Sequence, residues 1–155
     1  MKSENSVEEH IIDCAVGPSI QSFQGKILEV IEHKKIGQMY WNNDDITLYQ
    51  SPIQKNGTIA WDELQKELEN QKILNANTLD FLLKYPDLIP DEWKTENQYF
   101  LRILFAGTIY RGVKEKSLVR YLYFNSRSQK WLCGIYFCSE PIDNLTRVPV
   151  LKMNN

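Results

Sequence analysis

The sequence predicts an α+β domain: N-terminal helices packed on a C-terminal three- to four-stranded antiparallel β-meander. Two observations carry this. Between residues 20 and 84, apolar side chains recur at helical spacing. From Tyr99 onward the period changes, and three runs rich in β-branched and aromatic residues follow, joined by short loops. Helices first and a meander last argue for α+β. The chain has 155 residues, of which 43% are hydrophobic and 25% charged, enough for one domain with a real core. The boundaries expected are a mobile arm over 1–10 and a single domain over 11–155.

The elements follow in order. Ile20, Phe23, Ile27, Val30 and Ile31 predict a helix, with Ser19 as N-cap and Gly37 as its stop, although Gly25 interrupts it. Ile46 to Tyr49 reads as a short strand. Trp61, Leu64 and Leu68 share one face of a helix over about 59–71, with Asp62 and Glu63 near its positive end. A second helix runs from about Asn77 to Lys84, capped by Asn75 or Asn77 and stopped by Pro86. Asp87 to Lys94 reads as a turn plus one helical turn, with Pro90 in first position and Trp93 stapled to the core. Tyr99 to Arg111, Leu118 to Phe124 and Lys130 to Cys138 form the meander, with loops at 112–117 and 125–129. Thr146 to Met153 adds a fourth strand, expected at an edge because of Pro149.

Charge is unevenly divided. Residues 1–100 hold nine Lys and no Arg against seventeen acidic residues, a net of −8. Residues 101–155 hold all five arginines and a net of +6. A basic half can attract phosphate or acidic partners, or the acidic half can pack against it and cancel its field. With each hairpin loop centred, Thr108 faces Arg120 and Arg120 faces Gly134. One sheet face then carries Arg102, Tyr110, Arg120 and Tyr136 together. Arginine forks grip carboxylate or phosphate, and tyrosine offers a stacking plane and a hydroxyl. The candidate anion site is therefore Arg102, Thr108, Tyr110, Arg111, Arg120 and Tyr136. The alternative is that Arg120 pairs with an acidic residue from the first hundred. A one-residue slip in register would swap every assignment.

Strong catalytic motifs are missing from the sequence. It has no P-loop, no G-x-S-x-G and no G-x-G-x-x-G. His10 and His33 have no histidine partner at helical spacing, so no metal site and no cofactor are expected. Cys133 and Cys138, five apart in a strand, should face opposite ways. Asp44-Asp45 and Asp91-Glu92 read as caps of turns. The polar, acidic N-terminus lacks a signal-peptide pattern, and no apolar run is long enough to cross a membrane, so the expected location is cytoplasmic.

One resemblance follows from particular residues. Leu74 to Lys94 (LNANTLDFLLKYPDLIPDEWK), Gly107 to Arg111 (GTIYR) and Val119 to Phe124 (VRYLYF) are similar to a group of short bacterial proteins. These carry an LNAN…LIPxxWK…GTIYR…VRYLYW arrangement, and the resemblance spans roughly residues 46–138. It implies no activity, cofactor or catalytic residue, so no functional residue carries over. The first forty residues lie outside it, and Phe124 stands where the pattern has Trp.

Three functions remain open. The leading one is a small non-enzymatic binding or interaction module, with a protein or a phosphate-bearing ligand as partner. The second is a nucleotide or nucleic-acid binder using the Arg/Tyr face, whose mark would be steep salt dependence. The third is an enzyme assembled from scattered residues such as Asp80, Thr108, Tyr110 and Arg120.

Overall fold

The computed structural model describes residues 11–13 and 27–152. The expected mobile arm, the Gly17-Pro18 turn and the Ser19 cap lie outside them. Within them, strands dominate: β1 (Ile11–Asp13), β2 (Ile27–His33), β3 (Gln38–Tyr40), β4 (Ile46–Tyr49), β5 (Lys72–Ile73), β6 (Thr95–Glu96), β7 (Tyr99–Phe100), β8 (Arg102–Leu104), β9 (Thr108–Gly112), β10 (Ser117–Asn125), β11 (Lys130–Phe137) and β12 (Thr146–Leu151). The α-helices among the described residues are α1 (Trp61–Glu67) and α2 (Ala76–Lys84). None is long and apolar enough to cross a membrane.

The expected arrangement of N-terminal helices on a three- to four-stranded meander is therefore overturned. Eight strands form one mixed sheet. Its centre is β10, which pairs along one edge with β11 and along the other with β9 and then β8. From there the sheet forks. β9 continues to β2, while β8 continues to β12, which pairs with β4 and β5. The β8–β12 pairing is parallel and the others are antiparallel.

Three local causes explain the correction. The predicted helix over 20–37 is strand β2 across Ile27–His33. Its pairing with β9 shifts register between Ile27 and Glu29 and again between Val30 and Glu32. Such irregularities break the two-residue alternation, so the apolar residues of a strand fall at helix-like spacing. The predicted single strand over 99–111 is three strands: β7 pairs with β6 in a separate hairpin, and between β8 and β9 the chain turns at Phe105 to Gly107 and passes against the chain before α2. Gly107 N–H donates to Leu74 O at 3.1 Å there. Pro149 sits inside the sheet and not at an edge. Its carbonyl accepts from Leu74 N–H at 3.0 Å, on the side where the neighbour changes from β8 to β5. The missing proline N–H falls at that junction, where no ladder donor is required.

The helices came close to expectation. Asn75 caps α2, its Oδ1 accepting from Asn77 N–H at 3.0 Å. Each helix covers one face of the sheet. Leu64 of α1 and Leu68 at its C-cap pack with Ile59, Leu104, Val119 and Val150. Leu79 and Leu82 of α2 pack with Trp93, Ile103, Phe105 and Leu122 on the other side. Cys133 belongs to the α2 side and Cys138 to the α1 side, so the two face opposite ways.

Candidate functional site

The β10–β11 hairpin decides which side chains share a face. Its loop has four residues, Ser126 to Gln129, between the paired Asn125 and Lys130. Asn125 Oδ1 accepts from Arg127 and Ser128 N–H at 3.0 and 3.1 Å, and Gln129 takes a φ of 56° to close the turn. A five-residue centred loop would place Arg120 opposite Gly134. The four-residue loop places it opposite Ile135 and sets Tyr121 opposite Gly134. A Cβ on Gly134 would meet the Tyr121 ring at 2.3 Å, so the ring lies on the glycine and covers that stretch of backbone.

This register divides the six predicted residues. Tyr110 and Arg120 face α2. Arg120 Nη2 donates to Asp80 Oδ1 of α2 at 2.9 Å. Tyr110 is 1% exposed, and among the described residues neither its hydroxyl nor the Arg120 Nε has a hydrogen-bond partner of regular geometry. Burial pushes the Tyr110 phenol up, and the Arg120 guanidinium beside it partly offsets the shift. Burial likewise raises the Cys133 thiol in the same cluster. Thr108 is fully buried beneath the start of α2. Its Oγ1 accepts from Ala76 N–H at 2.9 Å and lies 2.8 Å from His33 Nδ1. Asn75 Nδ2 donates to Lys34 O at 2.9 Å, joining β2 to the same corner.

Arg102 and Tyr136 lie on the opposite face, with α1. Arg102 is ion-paired with Asp143, and the Tyr136 hydroxyl donates to Pro141 O. Arg111 binds Glu29 of β2, Nε to Oε1, at 2.8 Å. Arg147 Nη2 meets Glu96 at 2.5 Å. The partners of Arg111, Arg120 and Arg147 all come from the acidic first hundred residues, so much of the charge division is cancelled internally. The Thr108–Tyr110–Arg120 group is a closed interior cluster tying α2 to the sheet.

The surface offers something the sequence reading passed over. Residues 86–93 form a ridge of two single 3-10 turns, Pro86–Leu88 and Asp91–Trp93. Ile89, Pro90 and Trp93 are buried under it, and the Trp93 ring meets Trp41 edge-on at 5.9 Å. Trp41 Nε1 donates to Leu88 O at 3.1 Å, fastening the ridge from one side. Asp87, Asp91 and Glu92 are left exposed along its crest.

A cleft flanks each side of the ridge. The first, about 630 Å³, runs between the ridge and Trp41–Asp44; Asp44, Asp87, Asp91 and Glu92 line it, and no Lys or Arg does. The second, about 530 Å³, runs between the ridge and the β10–β11 hairpin, and Asp87, Ile89 and Asp91 line it too. Its far wall is Phe124 and Trp131, whose rings meet at 5.4 Å and 67°, together with Gln129 and Lys130. Lys94 enters it with its ammonium 4.4 Å from the Phe124 centroid and 2.9 Å from Asp91 Oδ1. Among the described residues, Asp44, Asp87 and Glu92 make no ion pair. The sequence signals were Asp44-Asp45 and Asp91-Glu92, both read as caps; in the structure Asn42 supplies the cap, accepting from Asp44 N–H.

Among the described residues, no three His, Cys, Asp or Glu side chains are gathered to hold a metal ion. Compared with family models, curated proteins and solved structures, the chain matches none.

Proposed function

We propose that the chain is a small non-enzymatic binding module and that its contact surface is the ridge over 86–93 with the cleft on either side. One observation carries this reading. The ridge is clamped from below by Trp41, Ile89 and Trp93, yet it turns three carboxylates outward between two clefts. A rigid, exposed, chemically mixed surface of this kind suits recognition.

The other readings find less support. For a scattered-residue enzyme, Asp80 and Arg120 are bonded to each other, and Tyr110 and Thr108 are fully buried. The clefts beside the ridge are lined by other residues. For an anion or nucleic-acid site, Arg102, Arg111 and Arg120 each already hold a carboxylate.

The test is selection from a displayed library of random short peptides, run on the wild-type chain and on an Asp87→Lys/Glu92→Lys variant. Both positions are exposed, so the variant should fold normally. Enriched sequences that bind the wild type and not the variant support the reading. Failure to enrich any sequence, or enrichment of sequences that bind both proteins equally, overturns it.

A further inference from the structure

We infer that the occupant of these clefts is a basic peptide segment, with a lysine or arginine side chain seated against Phe124 and Trp131. This rests on the reading above and adds the chemistry of the partner.

First, the cleft beside Trp41 is lined by four carboxylates and no Lys or Arg, and three of those carboxylates make no ion pair among the described residues. Exposed carboxylates this close together repel one another, and a cation entering the cleft relieves that repulsion. A phosphate-bearing ligand would meet the wrong sign.

Second, the cleft beside the hairpin already shows how a cation is held. Lys94 places its ammonium over the Phe124 ring while Asp91 balances the charge. An aromatic face closed by a carboxylate is the general design for an ammonium or guanidinium group. Lys94 is an internal occupant of this corner. Its side chain is 34% exposed and Asp91 is 88% exposed, so the pair is wet and readily exchanged. An incoming side chain can take over the ring while Lys94 swings out to solvent.

Third, both clefts share Asp87, Ile89 and Asp91. One extended segment crossing the ridge can therefore place basic side chains on both sides. Arg102, Arg111, Arg120 and Arg147 are engaged in ion pairs elsewhere, and Lys130 stands on the wall of the second cleft, leaving the Trp41 side as the more acidic of the two.

The experiment is a titration of the full chain with labelled oligo-lysine, oligo-arginine and oligo-glutamate peptides of equal length, followed by anisotropy and by the change in tryptophan emission. The basic peptides should bind, more weakly at high salt, and the acidic one should not. Asp87→Asn/Glu92→Gln should weaken binding about tenfold, two exposed charge contacts' worth. Lys94→Met keeps an aliphatic stem on Phe124 but removes the resident ammonium, so it should tighten binding by roughly twofold to fivefold. Asp62→Asn/Glu63→Gln on α1 removes the same charge elsewhere and should leave binding unchanged. Equal losses in the two double variants would mean general attraction of a polycation to an acidic protein, and would overturn the inference. So would a Lys94→Met chain that binds more weakly. If displayed peptides select the ridge while oligo-lysine and oligo-arginine do not bind, the partner chemistry is wrong and the surface stands. If peptides bind without regard to the ridge, the surface itself is wrong.

Discussion

Gly107 shows how little freedom the α2 corner has. A Cβ on Gly107 would stand 2.8 Å from Leu74 O and 2.9 Å from Ile73 O, both backbone atoms that cannot step aside cheaply. Gly107 also receives Lys34 N–H on its carbonyl at 2.7 Å, so β2, β9 and the approach to α2 cross at one glycine. Gly107→Ala should cost about 1–3 kcal/mol, read as a lower denaturant midpoint with an unchanged slope. A cost under about 0.5 kcal/mol would show that the crossing can relax. The sequence motifs LNAN and GTIYR carry this contact: Leu74 and Ala76 bond to Gly107 and Thr108. Nothing in the motif spelling says that the two segments touch. That knowledge needs the sheet to fork, which is a long-range property.

At the scale of elements, local signals were legible and pairing signals were not. The faces of α1 and α2, the Asn75 cap, the β4 strand and the buried Trp93 all follow from period and capping chemistry. β2 hides behind its irregular pairing. The β10–β11 register turns on whether the loop has four or five residues, and that difference moves Tyr136 to the opposite face from Arg120. Arg102 changes face for another reason: the chain breaks between β8 and β9, so that Tyr110 pairs with Leu118 but Leu104 pairs with Tyr121. Thr108, Tyr110 and Arg120 do converge, because all three lie under α2. The ridge was read correctly as turns, and its exposed carboxylates were assigned to capping because sequence adjacency does not show what they face.

A second element-scale contact joins β4 to α1. Tyr49 Oη donates to Glu67 Oε1 at 2.6 Å, and Ser51 Oγ donates to Glu67 Oε2 at 2.9 Å. Burial, then the bond to Glu67 and its charge, pushes the Tyr49 phenol up to about 12. The folded state therefore favours the neutral phenol. Its contribution to stability is complete below pH 10 and is lost as the pH rises through about 12. Tyr110, Tyr121 and Tyr136 are raised by burial in the same direction and share the decline. Tyr49→Phe should lower stability at neutral pH by about 1 kcal/mol. It should also flatten the alkaline loss measured by denaturation at a series of pH values. An alkaline loss as steep as that of the wild type would show that Tyr49 is not one of the groups responsible.

Across the whole molecule, the groups that hold the fold and the proposed contact surface are different residues. Both faces of the sheet are covered, one by each helix, and the Arg/Tyr group has become interior packing. Part of the uneven charge visible in the sequence is spent on internal pairs of Arg111, Arg120 and Arg147, and the remainder includes the carboxylates of the 86–93 ridge. Removing Arg120 should therefore weaken the fold without touching recognition. Altering Asp87 should do the reverse.

The direct measurement is thermal unfolding of the wild type, Arg120→Met and Asp87→Lys/Glu92→Lys, each with and without saturating oligo-lysine. A ligand at a hundred times its dissociation constant adds about 2.7 kcal/mol, which moves the midpoint of a chain this size by several degrees. The account predicts a lower midpoint for Arg120→Met, by about 1–3 kcal/mol of stability, with the same ligand-induced rise as the wild type. It predicts a near-normal midpoint and no such rise for the ridge variant. A rise that disappears in Arg120→Met and persists in the ridge variant would place binding at the Arg/Tyr cluster and contradict the account.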